Sequence, residues 1–205
     1  MKLYFVRHGQ TLWNTKKMFQ GIKNSNLTDL GKEQARKLKE SLKDINFTHY
    51  YTSPLGRAIE TIDILTEDRN HPFINFIPEF KEINMGEIEG MPAEIAVNLY
   101  PEQLYNLWNN GKDYDPRSFK GEDFKSVYTR VKKGLKELTR THSKKDKILI
   151  VSHGLALDAI FEVIKGNSFE AIKERNVPEN TSVTIIEYEN NEWNILDFSN
   201  TSHLK

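Results

Sequence analysis

What most constrains the fold of this chain is the order in which two hydrophobic periodicities alternate between Leu3 and Ile77. Leu3 to Val6 is a short apolar, β-rich run that stops abruptly at Arg7-His8-Gly9, as a buried strand does when it delivers its last residues to a loop. Leu27-Thr28-Asp29-Leu30-Gly31 then precedes Ala35, Leu38, Leu42 and Ile45, whose three-four spacing marks one face of an amphipathic helix capped by Thr28 or Asp29. His49-Tyr50-Tyr51-Thr52 reads as a second strand, Ser53-Pro54 starts a helix carrying Ala58, Ile59, Ile62 and Leu65 inward, and Phe73 to Ile77 reads as a third strand. Strand, helix, strand, helix, strand predicts an α/β fold, a three-layer sandwich with a central, mostly parallel sheet flanked by helices. Ligands in such sheets collect where strands hand over to loops.

From Asn84 to about Asp123 the pattern weakens. Gly86, Gly90, Pro92, Pro101, Gly111, Pro116 and Gly121 interrupt short helical pieces, so residues 84–123 are expected to form a helical lid inserted into a single domain spanning 1–205. Phe124, Val127, Val131, Leu135 and Leu138 then recur at helical spacing, and Lys147 to Val151 is the clearest buried strand in the chain, ending at Ser152-His153-Gly154. A further apolar helix covers Leu155 to Ile164. Ser182 to Tyr188 and Trp193 to Phe198 read as a terminal strand pair around a turn at Asn190-Asn191.

Composition narrows the function. Lys plus Arg and Asp plus Glu both total 29, so no net field would recruit nucleic acid or an anionic membrane, and any anion site must be built locally. The absence of cysteine excludes disulfides, a thiolate nucleophile and thiolate metal ligands, and suits a reducing cytoplasm. The apolar start is too short for a signal peptide or membrane span, so the expectation is a cytoplasmic protein.

Two strands end alike: Val6-Arg7-His8-Gly9 and Val151-Ser152-His153-Gly154 each place His then Gly at a strand terminus. In a parallel sheet those ends share one edge, where the imidazoles can meet and the glycines let backbone amides approach a ligand. A lone histidine is more often structural than functional; two in matched contexts, one beside an arginine, are not so easily dismissed.

Four ordered blocks carry a resemblance. They are Arg7-His8-Gly9-Gln10-Thr11 with Asn14, Gln20-Gly21 and Leu27-Thr28-x-x-Gly31-x-x-Gln34-Ala35; Ser53-Pro54-Leu55-x-Arg57-Ala58-x-Glu60-Thr61; Glu82-Ile83-Asn84-Met85-Gly86-x-x-Glu89-Gly90; and Ser152-His153-Gly154. Together they cover essentially the whole chain, which resembles the histidine phosphatase, or phosphoglycerate mutase-like, superfamily. The resemblance implies that His8 is a nucleophile attacking phosphorus, a role that suits imidazole because its reference pKa of about 6.5 leaves a useful unprotonated fraction near neutrality. A phosphoryl group in flight spreads negative charge over its oxygens, so Arg7, Arg57 and His153 are expected to converge on it, the arginines as planar forks and His153 as a donor protonated by the bound dianion. Asn14 is matched by a phosphate-contacting residue, with a loop cap as the plainer alternative. Gly154 is expected on the substrate side; Thr11, Gln20 and Gly21 are expected to shape that side too, with a turn-stabilising role as the equal alternative for each.

Glu82 holds the position of the family's proton donor, which would protonate the departing alkoxide and later deprotonate water. Residue type alone would give Glu79, Glu87 and Glu89 similar standing. Two histidines and a glutamate can make a zinc site, but Arg7 beside His8, with Arg57 converging, would put positive charge where the cation must sit, so no metal and no cofactor are expected. Within the family, the mutase branch typically follows the acid with Glu-Arg-x-Tyr-Gly and is longer; here Ile83-Asn84-Met85-Gly86 follows Glu82. Hydrolysis of a small phosphorylated metabolite is therefore expected over cofactor-dependent mutase action, and a non-catalytic phosphate sensor would not need both His8 and Glu82. Met91, Tyr100, Tyr105, Leu107, Trp108, Tyr114 and Phe119 are candidates for an apolar lid wall or for lid packing, and Lys112, Arg117 and Lys120 for contact with a second anionic group.

Overall fold

Strands β1 (Lys2–Arg7) and β4 (Lys147–Ser152) are apolar along most of their length because they run side by side, in parallel, through the middle of a sheet covered on both faces. The computed structural model describes residues 1–205. The remaining elements are α1 (Leu12–Thr15), α2 (Asp29–Ser41), β2 (His49–Thr52), α3 (Gly56–Thr66), β3 (Ile74–Phe76), α4 (Ala93–Leu99), α5 (Pro101–Asn109), α6 (Phe124–Thr141), α7 (Gly154–Ile164), β5 (Val183–Glu189) and β6 (Glu192–Asn200). The strand order is β3-β2-β4-β1-β5-β6. The first four strands are parallel, and β5 and β6 add an antiparallel hairpin.

Alternation along β1 sorts its side chains between two cores. Tyr4 and Val6 pack with Leu149, Val151, Leu38 and Leu42 of α2 and its C-cap, and Ala58, Ile62 and Leu65 of α3. Leu3 and Phe5 point the other way, toward Val127, Val131, Leu135 and Leu138 of α6 and Leu157, Ile160 and Phe161 of α7. The expected three layers are therefore present. Thr28 caps α2, its Oγ1 accepting the Gly31 N–H at 3.0 Å.

Three boundaries differ from the sequence reading. Helix α3 begins at Gly56, leaving Ser53 and Pro54 outside it, and Ile59 is only half-buried. Strand β3 shrinks to three residues at the sheet edge, with Phe73 and Phe76 exposed. Leu12–Thr15, inside what reads as a loop, forms a single helical turn. The expected turn at Asn190-Asn191 forms with both residues at positive φ, 54° and 65°, as a two-residue hairpin turn requires and asparagine tolerates.

Residues 84–123 contain α4, α5 and 3₁₀ turns at Gly86–Ile88 and Pro116–Phe119. Leu104, Leu107, Tyr114 and Phe119 are buried in the same core as α6, so this segment packs into the body of the fold. Gly86 has φ +54° and an added Cβ would fall 2.0 Å from the Phe119 carbonyl oxygen, so a side chain there would part the two 3₁₀ turns. No helix is long and apolar enough to cross a membrane.

Candidate active site

The register that pairs Arg7 with Ser152 delivers His8 and His153 to the same sheet edge, with ring centroids 5.2 Å apart. His8 is 2% exposed. Its Nδ1 lies 2.8 Å from the Gly9 carbonyl and its Nε2 lies 3.2 Å from Arg57 Nε. A carbonyl only accepts and a guanidinium only donates, so the ring must carry its proton on Nδ1 and keep the Nε2 lone pair. Burial, then the charges of Arg57 and Arg7, hold its pKa well below 6.5, against the opposing pull of the Gly9 carbonyl.

His153 is fully buried, with Nε2 2.7 Å from Ser53 Oγ and Nδ1 without a protein partner. Burial first, then Arg57, His8 and Arg7, push its pKa well below 6.5 as well. The expected cationic His153 is thus qualified: the protein holds it neutral, and protonation would require the charge of a phosphoryl group to outweigh its neighbours. Two imidazoles buried neutral have a stability consequence. In an unfolded chain both take up protons near pH 6.5, whereas in the fold they resist until lower pH, so stability present above 6.5 is lost as pH falls toward the folded pKa values. The expected slope is up to about 1.4 kcal/mol per pH unit for each imidazole. Urea unfolding of wild type and a His153→Asn variant between pH 7 and 5 checks this; equal pH dependence in both would refute it.

Arg57 is 1% exposed, and its guanidinium is more committed than a free fork would be. Besides the Nε contact to His8, Nη1 donates to the Lys23 carbonyl at 2.8 Å and Nη2 to the Gly21 carbonyl at 2.7 Å. Burial lowers its pKa to about 10, with Glu82 and Glu89 opposing, so it remains charged at neutral pH. Arg7 donates through Nη1 to the Pro178 carbonyl at 2.6 Å, and its buried Nε has no protein partner. Burial lowers its pKa, partly offset by Glu82 and Glu179.

Asn14 serves the plainer role and leaves room for the other. Its Oδ1 accepts from Thr11 N–H and Oγ1, both at 3.0 Å, in a reciprocal cap of α1, while its side chain still borders the cavity. Thr11 is fully buried in that cap. Gly21 has φ +55°, and a Cβ there would fall 1.9 Å from Glu89 Oε1.

Glu82 reaches the start of α7. Its Oε1 accepts N–H bonds from Ile83 at 3.0 Å and Ala156 at 2.9 Å, and its Oε2 accepts from Leu155 at 3.2 Å. The rival carboxylates lie elsewhere. Glu79 pairs with Lys133 and Glu87 with Lys120. Glu89 accepts N–H bonds from Ile22, Lys23 and Met85, latching the loop after Gly21 to the loop after Glu82.

These groups surround one cavity of about 280 Å³ whose polar floor is Arg7, His8, Asn14, Gln20, Gly21, Arg57, Glu82 and Gly154. Its apolar wall is Met18, Phe19, Ile83, Met85, Ala93, Val97, Trp108, Leu155 and Val177, and Lys17 stands at its edge. Of the seven apolar lid candidates only Trp108 is in this wall. Leu107, Tyr114 and Phe119 are core residues, Met91 and Tyr100 pack against that core, and Tyr105 is exposed. Arg117 and Lys120 are engaged by Asp115 and Glu87, and Lys112 does not border the cavity.

Several supporting residues escape a reading by residue type. Thr61 Oγ1 accepts the Gly9 N–H at 3.0 Å, Asn180 donates to the His8 carbonyl at 2.9 Å, and Asn24 accepts the Arg57 N–H at 2.8 Å. Ser53 and Thr61 sit inside the second sequence block, which is the signal that could have found them; Asn180 and Asn24 carry none.

Comparison with known proteins agrees with this geometry. A family model described as histidine phosphatase superfamily (branch 1) matches residues 3–201. The uncharacterized phosphatase PhoE of Bacillus subtilis is 34% identical over 200 residues, covering 97% of this chain and 94% of that one. Phosphoglycerate mutase-like protein 4 of Arabidopsis thaliana is 28% identical over 206 residues, covering 100% and 87%. Among solved structures, Bacillus stearothermophilus YhfR superposes with a TM-score of 0.92 at 29% identity, covering 100% of this chain and 99% of that one. With its strand-end histidines paired at one end of the sheet, His8 bordering the cavity and His153 buried behind it, and a family match over nearly its whole length, this chain belongs to the histidine phosphatase superfamily.

Proposed function

We propose that this protein is a metal-independent phosphatase that hydrolyses small phosphomonoesters through a phosphohistidine on His8. The observation that carries the reading is the state of the His8 ring, with Nδ1 committed to the Gly9 carbonyl and an unprotonated Nε2 held against the Arg57 guanidinium, both residues bordering the cavity. No base has to remove a proton before attack. Nε2 would bond to phosphorus while the ester oxygen leaves with the bonding pair and takes a proton from Glu82. Water would then attack the phosphohistidine, losing a proton to Glu82 and releasing inorganic phosphate and a neutral His8. Arg7, Arg57 and His153 would stabilise the equatorial oxygens in both steps, with Arg57 exchanging its His8 contact for a phosphoryl oxygen. Asn14 would donate its amide N–H to the phosphoryl group. Helices α4 and α5, which contribute Ala93, Val97 and Trp108 to the wall, would serve as the lid over the leaving group.

Metal independence is supported by the placement of the Arg57 guanidinium against the one His8 nitrogen that could coordinate a cation. Hydrolysis rather than mutase action is supported by the wall: Ile83 and Met85, just after Glu82, are apolar, and beyond Arg7 and Arg57 the cavity offers only Lys17 as a further cation for a second phosphate. The test is turnover of p-nitrophenyl phosphate in EDTA, with vanadate as inhibitor and 3-phosphoglycerate as alternative substrate. We expect full activity in EDTA, competitive inhibition by vanadate and phosphate release without isomerisation. EDTA-sensitive activity restored by zinc or magnesium would reject metal independence, and conversion to 2-phosphoglycerate exceeding phosphate release would favour the mutase.

A further inference from the structure

Away from the cavity floor, the most buried ion pair in the molecule joins Asp158 of α7 to Arg175, Oδ2 to Nη1 at 2.6 Å, with side chains 3% and 1% exposed. Its other bonds are directed. Arg175 Nε donates to the Leu107 carbonyl at 2.7 Å, Asp158 Oδ1 accepts the Asn176 N–H at 3.1 Å, and the guanidinium carbon stacks 3.7 Å from the Phe124 ring centroid. Each bond ends next to a cavity residue. Leu107 precedes Trp108, Asn176 precedes Val177, and Asp158 lies one helical turn after Gly154, where α7 borders the cavity. Val177 is held tightly against that helix, since a Cβ on Gly154 would meet its Cγ1 at 2.9 Å.

A buried ion pair is a weak source of stability, because replacing both partners with apolar residues of similar volume is often neutral. What apolar residues cannot reproduce is direction. We propose that Asp158 and Arg175 are positioning residues for leaving-group selection: by fastening α5 and the 175–177 segment to α7, they fix the spacing between Trp108 and Val177 and so the width of the slot that receives the organic part of the substrate. This rests on the phosphatase reading. The class selected is a phosphomonoester with a flat apolar leaving group, because Trp108 and Val177 present apolar side chains to it.

The test compares wild type with Arg175→Met and with the charge-free double variant Asp158→Leu/Arg175→Met, which removes the pair without leaving a lone buried charge. For 1-naphthyl phosphate, KM is expected to rise about tenfold, equivalent to roughly 1.4 kcal/mol, with kcat nearly unchanged. The vanadate inhibition constant, which reports only the phosphoryl end, should hold. A second readout needs no turnover: acrylamide quenching of tryptophan emission, referenced to Trp108→Phe to isolate Trp108 among three tryptophans, should rise in the double variant. An unchanged KM and unchanged quenching in a folded double variant would overturn the proposal, as would failure of the double variant to fold, which would make the pair a stability element. A parallel rise in the vanadate constant would also count against it. If wild type hydrolyses no phosphoester at all, the phosphatase reading falls, and the quenching comparison still decides whether the pair sets the slot.

Discussion

Replacing His8 with alanine should reduce phosphoester turnover by at least about 10³-fold, because the variant loses the only group proposed to form the covalent intermediate. The electrostatic floor would survive, since Arg7 is held by the Pro178 carbonyl and Arg57 by those of Gly21 and Lys23, independently of the ring. Vanadate should therefore still bind, which separates loss of chemistry from loss of the site. With a phosphorus-labelled substrate, rapid denaturation without acid during turnover should trap an acid-labile, base-stable phosphoprotein in wild type. The label should map to His8 and vanish in the variant. Persistence of the label, or substantial activity, would remove His8 from the mechanism.

The second large effect is expected at Glu82 and should depend on the leaving group. A sugar or alkyl alkoxide is too basic to depart without a proton, whereas p-nitrophenolate leaves readily. Glu82→Gln removes the transferable proton while keeping an oxygen for the Ile83 and Ala156 N–H groups; its amide would face the Leu155 N–H and forfeit that single 3.2 Å bond. Phosphorylation of His8 should slow by about 10²–10⁴-fold with alkyl phosphates and far less with p-nitrophenyl phosphate. Single-turnover rates or phosphoenzyme bursts are the measurement, since the same carboxylate is assigned to water activation in the second step. Equal slowing with both substrates would make Glu82 a positioning residue. Its rivals would need a large rearrangement to replace it: Glu89 has three backbone N–H partners, and Glu79 and Glu87 lie with lysines outside the cavity.

What could be read from the sequence was what local rules determine. The run Ile148 to Val151 had to be a central strand because nothing in it suits water, and the three-four spacing of Val127, Val131, Leu135 and Leu138 allowed only a helix with one buried face. The convergence of His8 and His153 followed from two strand ends in a parallel sheet, and the structure does gather both with Arg7, Arg57 and Glu82. The facing of lid side chains did not follow. Tyr114, Phe119 and Trp108 are all aromatic, yet two are core and one meets the cavity, because the choice is made by how the whole stretch from Leu104 to Phe119 packs into the core it shares with α6 and α7. The commitments of Arg57 were equally hidden: its carbonyl partners at Gly21 and Lys23 are more than thirty residues away, in a loop whose path depends on a positive φ at Gly21 and on the Glu89 latch.

The pairing of Arg7 with Ser152 makes the β1–β4 alignment a ruler for the chemistry. A slip of one residue between these strands would carry His8 about 3.3 Å along the sheet and turn alternate side chains to the opposite face. His8 would lose both Arg57 and its partner imidazole while much of the apolar burial survived. A collapsed but misaligned chain would thus be compact and silent, so the proposed turnover would report the pairing of these two strands to the single residue, a finer gauge of correct folding than compactness or helix content.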